Sequence, residues 1–282
     1  MGDTHRQAAE LTGVTAMFPS NEILHGDCTR VLKQLPDAFV DLIVTDPPYG
    51  VRYQDRLGRT VANDDDPNRI LGAFTDLYRV LKPNSVCISF YGWGLVDDFF
   101  RAWRRAGFKP VGHIVWVKDY ASRERFLRYR HESAYLLAKG QPSLPSRPLD
   151  DIQTWLYSGN TDHPTQKAVR ILTPLIETFS QSGQLVLDPF AGSGSTLVAA
   201  QITGRRYLGI ELDQKYCALM RERLAFVERN PAQPRSTVAS VANAYPGIAG
   251  SADLGHLFRW LQDRDYHDLA RTVQSAMHRR QP

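Results

Sequence analysis

The sequence predicts an α/β protein: a doubly wound, mostly parallel sheet with a small helical extension at its C-terminus. Three observations lead there. Short apolar runs alternate with amphipathic stretches in both halves of the chain, as parallel strands joined by crossover helices require. Several of these runs end at an acid (Asp27, Asp46, Asp188, Glu211), two of them followed by proline, the pattern of strands that feed ligand loops at the carboxyl edge of an open sheet. Past Asn230 the alternation ends in a stretch rich in Pro, Ala, Ser and Gly, then two helical stripes.

The elements follow in order. Residues 22–25 form a short apolar strand ahead of Gly26-Asp27, and 28–35 suit a short helix. The run Val40-Asp41-Leu42-Ile43-Val44-Thr45 reads as a buried strand stopped by Pro47 and Pro48. Residues 51–63 are polar and read as a loop, and Asp64-Asp65-Asp66-Pro67 offers caps and a first-turn proline. Ile70, Leu71, Phe74, Leu77, Tyr78 and Leu81 recur at helical spacing, with Lys82-Pro83-Asn84 as the stop. A strand at 86–90 and a helix at 95–106 closed by Gly107 come next. Strands at 113–117 and 133–138 follow, with His113 and Trp116 as core residues, and 140–160 reads as loop. Then come a helix at 169–179, a strand at 184–187 and a helix at 195–202 ended by Gly204. A strand at 206–210 and a helix at 214–227 complete the alternation. Leu254, Leu257, Phe258 and Leu261, then Tyr266, Leu269, Ala270 and Val273, predict a helical hairpin. The expected organisation is a polar arm (1–21), a main domain (22–229), a linker (230–252) and the hairpin (253–282), which is compatible with dimerisation or nucleic-acid contact.

The chain has 282 residues, enough for one large domain with an appendage, and no apolar run of the ~18 residues that spans a bilayer. Its polar N-terminus lacks the apolar core of a signal peptide. Three cysteines (Cys28, Cys87, Cys217) lack metal-ligand spacing and fit reduced thiols in a cytoplasm. The net charge of +4 mildly favours a polyanionic partner.

Two motifs carry the chemistry. Asp46-Pro47-Pro48-Tyr49 sets a carboxylate, rigid carbonyls and a flat ring at a strand's carboxyl end, where a planar amine can be held. Alone it fits a capped turn equally well. The second, Asp188-Pro189-Phe190-Ala191-Gly192-Ser193-Gly194-Ser195-Thr196, joins a strand to a helix through a tight turn whose glycines allow close approach of a ligand. No Gly-Lys-Ser/Thr follows, so it is not a P-loop; Leu197 stands where a dinucleotide fingerprint has its third glycine. Glu211 ends the next strand, placed to accept hydrogen bonds from ribose hydroxyls, and Asp27 ends another, placed to receive an exocyclic adenine amine. Three acids at three strand ends (Asp27, Asp188, Glu211) argue for a ligand site.

With these residues the chain resembles the S-adenosylmethionine-dependent amino-methyltransferases of DNA. Asp46-Pro47-Pro48-Tyr49-Gly50 is similar to their catalytic motif, the 188–196 turn to their cofactor loop, and His163-Pro164-Thr165-Gln166-Lys167 to the segment before that loop. The catalytic motif precedes the cofactor loop, as in the circularly permuted β group, and the resemblance spans 22–226. It departs in Ala168, where a proline is usual, and in the short stretch between Lys139 and His163, where a target-recognition insert is common. The resemblance implies a Rossmann-like methyltransferase sheet, S-adenosylmethionine as cofactor, double-stranded DNA as partner and no metal. It implies cofactor contacts from Asp27 (adenine), from Glu211 (ribose), from Thr165, Lys167, Asp188, Phe190, Ala191, Gly192, Ser193 and Gly194 (methionyl end), and from Cys28, Asp46 and Leu212. A partner restriction nuclease and a homodimer are compatible with it; neither is visible in the sequence.

An exocyclic base amine is a poor nucleophile because its lone pair is delocalised into the ring. Asp46 and the Pro47 carbonyl each accept one N–H bond in this reading, Pro48 stiffens the turn, and Tyr49 stacks on a base turned out of the duplex. Attack at a cytosine carbon needs a cysteine nucleophile, and no cysteine follows a proline. Methylation of a protein glutamine uses a related motif beginning with Asn, against Asp46. In the family, Asp at the first position goes with adenine N6 and Ser with cytosine N4, so adenine is expected and N4-cytosine is the alternative. A non-catalytic DNA-binding regulator and an RNA or protein methyltransferase are the other classes. Residues 118–131 hold Lys118, Arg123, Arg125, Arg128, Arg130 and His131 interleaved with Tyr120, Phe126 and Tyr129, a candidate DNA-contacting loop. Arg52, Tyr53 and Arg56 follow the catalytic motif and are candidates to close over the flipped base.

Overall fold

Residues 20–48, 67–155 and 167–229 are described by the structure, a computed structural model. Their strands are β1 (Glu22–His25), β2 (Val40–Thr45), β3 (Leu81–Phe90), β4 (Lys109–Val117), β5 (Arg123–Glu124), β6 (Arg128–Tyr129), β7 (His131–Lys139), β8 (Ile152–Thr154), β9 (Leu185–Asp188) and β10 (Arg206–Glu211). The helices are α1 (Cys28–Val31), α2 (Pro67–Gly72), α3 (Phe74–Val80), α4 (Val96–Ala106), α5 (Val169–Phe179), α6 (Ser195–Ile202) and α7 (Gln214–Arg229). Eight strands form one sheet, ordered β1-β10-β9-β2-β3-β7-β4-β8, and among the described residues β5 and β6 form a separate two-stranded sheet. Pairing from β1 through β3 is parallel; β7 runs antiparallel to both β3 and β4.

Strand residues alternate between two faces. Leu42, Val44, Val86, Ile88, Phe90 and Val186 pack under α5, α6 and α7. Ile43, Cys87, Leu185 and Leu187 face the opposite way, against α1 to α4. Both faces are covered, which explains why these runs read as continuously apolar. Trp103 of α4, fully buried, meets Phe74, Phe99, Phe100, Tyr91 and Tyr135 in edge or tilted ring contacts.

Several expectations are corrected. The helix expected over 70–81 is two helices broken at Ala73, and the strand begins at once at Leu81. Lys82-Pro83-Asn84 therefore lies inside β3, where the pairing with β2 is irregular between Val40 and Leu42 and Asn84 has φ 58°. A proline is tolerated at such an irregularity because no ladder donor is required there. Residues Leu32–Gln34 continue α1 as a 3-10 turn, and another over Trp93–Leu95 precedes α4. The 140–160 stretch contains β8, and the basic loop at 118–131 contains the β5–β6 ribbon. Trp116 is buried as expected, but His113 is half-buried, its Nε2 3.1 Å from the Tyr91 hydroxyl, and burial lowers its pKa. The polar arm up to residue 19, the loop at 51–63, the linker and the C-terminal hairpin lie outside the described residues. No described helix is long and apolar enough to cross a membrane.

Gly209 of β10 decides how closely the sheet and α6 approach. A Cβ there would lie 2.6 Å from Leu197 Cδ2 and 3.2 Å from Ala191 Cβ. Leu197 replaces the third glycine of a dinucleotide turn, and the room it needs comes from the strand instead. Gly209→Ala is expected to destabilise the fold by ~1–3 kcal/mol through overpacking, read as a lower urea midpoint at unchanged slope.

Candidate active site

Because β1, β10, β9, β2 and β3 are parallel, their carboxyl ends share one edge. That edge brings together Asp27 after β1, Glu211 on β10, Asp188 on β9 and Asp46 after β2. Topology collects acids that lie far apart in the chain.

The turn after β9 is locally determined. The backbone N–H of Phe190 donates to Asp188 Oδ1 at 3.1 Å, that of Ala191 to the Ile210 carbonyl at 3.0 Å, and that of Gly194 to the Ala191 carbonyl at 2.7 Å. Gly192 (φ 52°) and Gly194 (φ 82°) take left-handed backbone that a side chain would resist. At Gly194 a Cβ would also sit 2.5 Å from Met220 Cγ. Glu211 grips the turn from below, Oε2 accepting from Gly192 N–H and Oε1 from Asp213 N–H, both at 2.8 Å. Each carboxylate oxygen has a second acceptor direction, so these bonds leave capacity for ribose hydroxyls. Asp27 behaves similarly: Oδ1 caps α1 through Thr29, 2.9 Å from its N–H and 2.7 Å from its hydroxyl. Cys28, Ala191 and Ser193 are buried, and Leu212 is exposed.

The edge is electrostatically loaded. Burial, more than any neighbour, pushes the Asp188 carboxyl up to about 7; Asp46 and Glu211 add to the rise, while the Thr196 side chain and the Phe190 N–H oppose it. Burial also raises Glu211. Carboxyls held this way favour a ligand that brings positive charge.

Lys167 enters this edge beside β3, buried, its ammonium 4.2 Å from the Phe90 ring centroid. It forms an ion pair with Asp46 Oδ2. The resemblance implies a contact with the methionyl end of a cofactor; the structure shows Lys167 holding Asp46, the first residue of the Asp-Pro-Pro-Tyr motif. Tyr49, Arg52 and Thr165 lie outside the described residues.

On the ribbon, Arg125 and Arg128 are exposed, with Arg128 Nε 2.8 Å from Glu124, and Arg123 lies on β5. Arg130 donates through Nε and Nη2 to the Lys118 carbonyl at 3.1 and 2.9 Å. Lys118 is buried and paired with Glu132. Of the expected phosphate contacts, Arg130 and Lys118 therefore also anchor the ribbon's base. One contributor to the turn escaped the sequence reading: Arg223, buried, donates to the Ser193 carbonyl at 2.7 Å. It sits in the apolar stripe of Cys217, Met220, Leu224 and Val227, and a cation in such a stripe is the signal that would have found it.

Comparisons with known proteins give the family. A family model described as DNA methylase, covering the N6 and N4 enzymes, matches residues 40–222. YubD of Escherichia coli (strain K12), a protein named as a methylase, is 52% identical over 209 residues, which cover 74% of this chain and 92% of YubD. The type II methyltransferase M.HinfI of Haemophilus influenzae is 27% identical over 255 residues, covering 75% of this chain and 70% of that one. Among solved structures, TTHA0409 from Thermus thermophilus, named as a DNA modification methylase and complexed with S-adenosyl-L-methionine, aligns with TM-score 0.56 at 26% identity, over 72% of this chain and 94% of that one. On the family match and the closeness of YubD, this chain belongs to the DNA methylase family.

Proposed function

We propose that this DNA methyltransferase modifies adenine N6, in a base turned out of duplex DNA, with S-adenosylmethionine as its cofactor. The observation that carries the reading is the acid-lined edge: Asp46 stands on the same sheet edge as Asp188 and Glu211, and both neighbours' charges reach Asp188. The residues present fit the cofactor. A positively charged methionyl end suits carboxyls that burial has raised, the left-handed glycines leave backbone open to close approach, and Glu211 retains acceptor capacity for a ribose.

When bound, S-adenosylmethionine supplies a methyl group made electrophilic by its sulfonium. The chain's own part is positioning. Asp46 accepts one N–H of the target amine and the Pro47 carbonyl the other, returning electron density to the nitrogen. Pro48 fixes the direction of that carbonyl. Lys167 keeps Asp46 oriented and compensates its charge. Tyr49 is the ring assigned to stack on the base, a contribution of ~1–3 kcal/mol. Adenine is favoured over cytosine because the motif opens with Asp46 rather than Ser. Arg52, Arg123, Arg125, Arg128 and Arg130 are the proposed phosphate contacts.

The test incubates the protein with labelled cofactor and unmethylated duplex DNA, then identifies modified nucleosides by mass spectrometry and their context by sequencing. N6-methyladenine at one sequence is expected. N4-methylcytosine would overturn the choice of base, and label appearing in RNA or protein but not DNA would overturn the substrate.

A further inference from the structure

We propose that Phe126 is a wedge that enters the duplex beside the target base and fills the space the base leaves. The inference rests on the DNA-methyltransferase reading and assigns a role to a residue outside the cofactor and amine sites.

Phe126 is 100% exposed and Leu127 69% exposed, at the tip of the β5–β6 ribbon. Single exposed apolar residues are ordinary on a surface. Three features of this one are not.

The ribbon is braced. Arg123 pairs with Tyr129 and Glu124 with Arg128, and the tip closes through Arg125 N–H to the Leu127 carbonyl at 3.1 Å. Its base is tied by Ser122 N–H to the Tyr129 carbonyl at 2.9 Å and Lys118 N–H to the Arg130 carbonyl at 2.8 Å. Tyr129 also stacks on Trp93, ring centroids 5.7 Å apart and planes 16° from parallel. A two-stranded element held this way keeps its tip extended in water and can enter the major groove, which admits a β-ribbon.

The ribbon also stands at the reacting edge. It joins β4 to β7 at the end of β4. β4 and β3 both run antiparallel to β7, so β4 points the same way as β2. Trp93, on which the ribbon leans, follows β3 closely, and β3 Ser89 is in register with Thr45, the residue before Asp46.

Finally, the apolar tip lies between exposed arginines, Arg125 and Arg128. Cations around a ring match a nucleic-acid duplex, with phosphates outside and stacked bases within. An apolar protein partner would leave the Arg125 charge and the exposed Arg128–Glu124 pair facing an uncharged surface. Extruding a base costs unstacking energy, and an aromatic ring that takes over the vacated stack offsets part of it.

The test compares wild type, Phe126→Ala and Phe126→Tyr on two duplexes carrying the recognised site. One is fully paired; in the other the residue opposite the target adenine is abasic, so the base is already loosened. Phe126→Ala is expected to lower kcat/KM about tenfold or more on the paired duplex and far less on the abasic one. Phe126→Tyr restores the paired activity. With 2-aminopurine at the target position, the fluorescence rise on binding is lost in Phe126→Ala and kept in Phe126→Tyr. Unchanged activity of Phe126→Ala on the paired duplex would overturn the wedge, and so would an equal loss on both duplexes. A shift in oligomeric state on Phe126→Ala would overturn it in favour of a protein contact. Wild-type transfer is the separate control: its absence on both duplexes would remove the enzymatic reading, not the wedge alone.

Discussion

Asp46→Asn is expected to lower methyl transfer to DNA by roughly 10²- to 10⁴-fold, the range for removing a positioned proton acceptor or one electrostatic partner of a reacting group. The amide keeps the shape and one acceptor oxygen but loses the charge that draws density onto the amine. It also breaks the ion pair with Lys167, leaving a buried ammonium beside the Phe90 ring. A fully buried pair broken this way costs ~3–5 kcal/mol. The Asp46 side chain is 21% exposed, so a smaller loss of about 1–3 kcal/mol is expected. Adding Lys167→Met removes the orphaned charge, so the double variant should recover stability without recovering transfer. Radiolabel transfer and urea unfolding on the three proteins separate the two effects. If Asp46→Asn keeps more than about a tenth of wild-type transfer, Asp46 is not the group that positions the amine.

The second large effect concerns Asp188, whose carboxyl is held at about 7 against an ordinary value of 3.8. The sign follows from proton counting. The folded state binds this proton more tightly than the unfolded chain does. Its stabilising contribution is full below the unfolded value and disappears as pH rises through about 7. The cofactor-free protein should therefore lose stability from about pH 4 to about pH 7, by up to roughly 4 kcal/mol. Asp188→Asn removes that slope, so the variant should be the more stable protein at pH 8. Cofactor affinity should move the opposite way. A cationic ligand favours the ionised carboxylate, so wild-type binding weakens as pH falls below about 7, approaching tenfold per unit. The variant should bind more weakly at pH 8 and lose the slope. Calorimetric titration across pH 5.5–8.5 provides a readout independent of turnover. A variant with wild-type affinity and the wild-type slope would show that Asp188 does not face the ligand's charge. Here function opposes stability: the buried acid costs the apoprotein stability and is used when a cation arrives.

Of the two correctly bounded helices, Val169–Phe179 shows its helical period, whereas Ser195–Ile202, buried over its first six residues, was legible from the flanking Gly194 and Gly204. β8 and the β5–β6 ribbon were missed because strands of two or three residues contain no period at all. The break at Ala73 and the early start of β3 were missed because local propensity continues through them. There it is the pairing of Leu81 with Val40 that sets the boundary. The glycine turn was legible because left-handed backbone narrows residue choice locally, as at Gly192 and Gly194.

The amino-acid order alone determined the alternating architecture, the acidic strand ends, the glycine turn and the family they imply, because each is written in residues close together along the chain. Tertiary structure alone decided that Lys167 meets Asp46 across 121 positions, that Gly209 makes room for Leu197, and that the Phe126 ribbon rises at the edge where Asp46 ends its strand. Such pairings depend on which strands become neighbours in the sheet, and that choice minimises the free energy of the whole packed core; no local stretch of sequence encodes it.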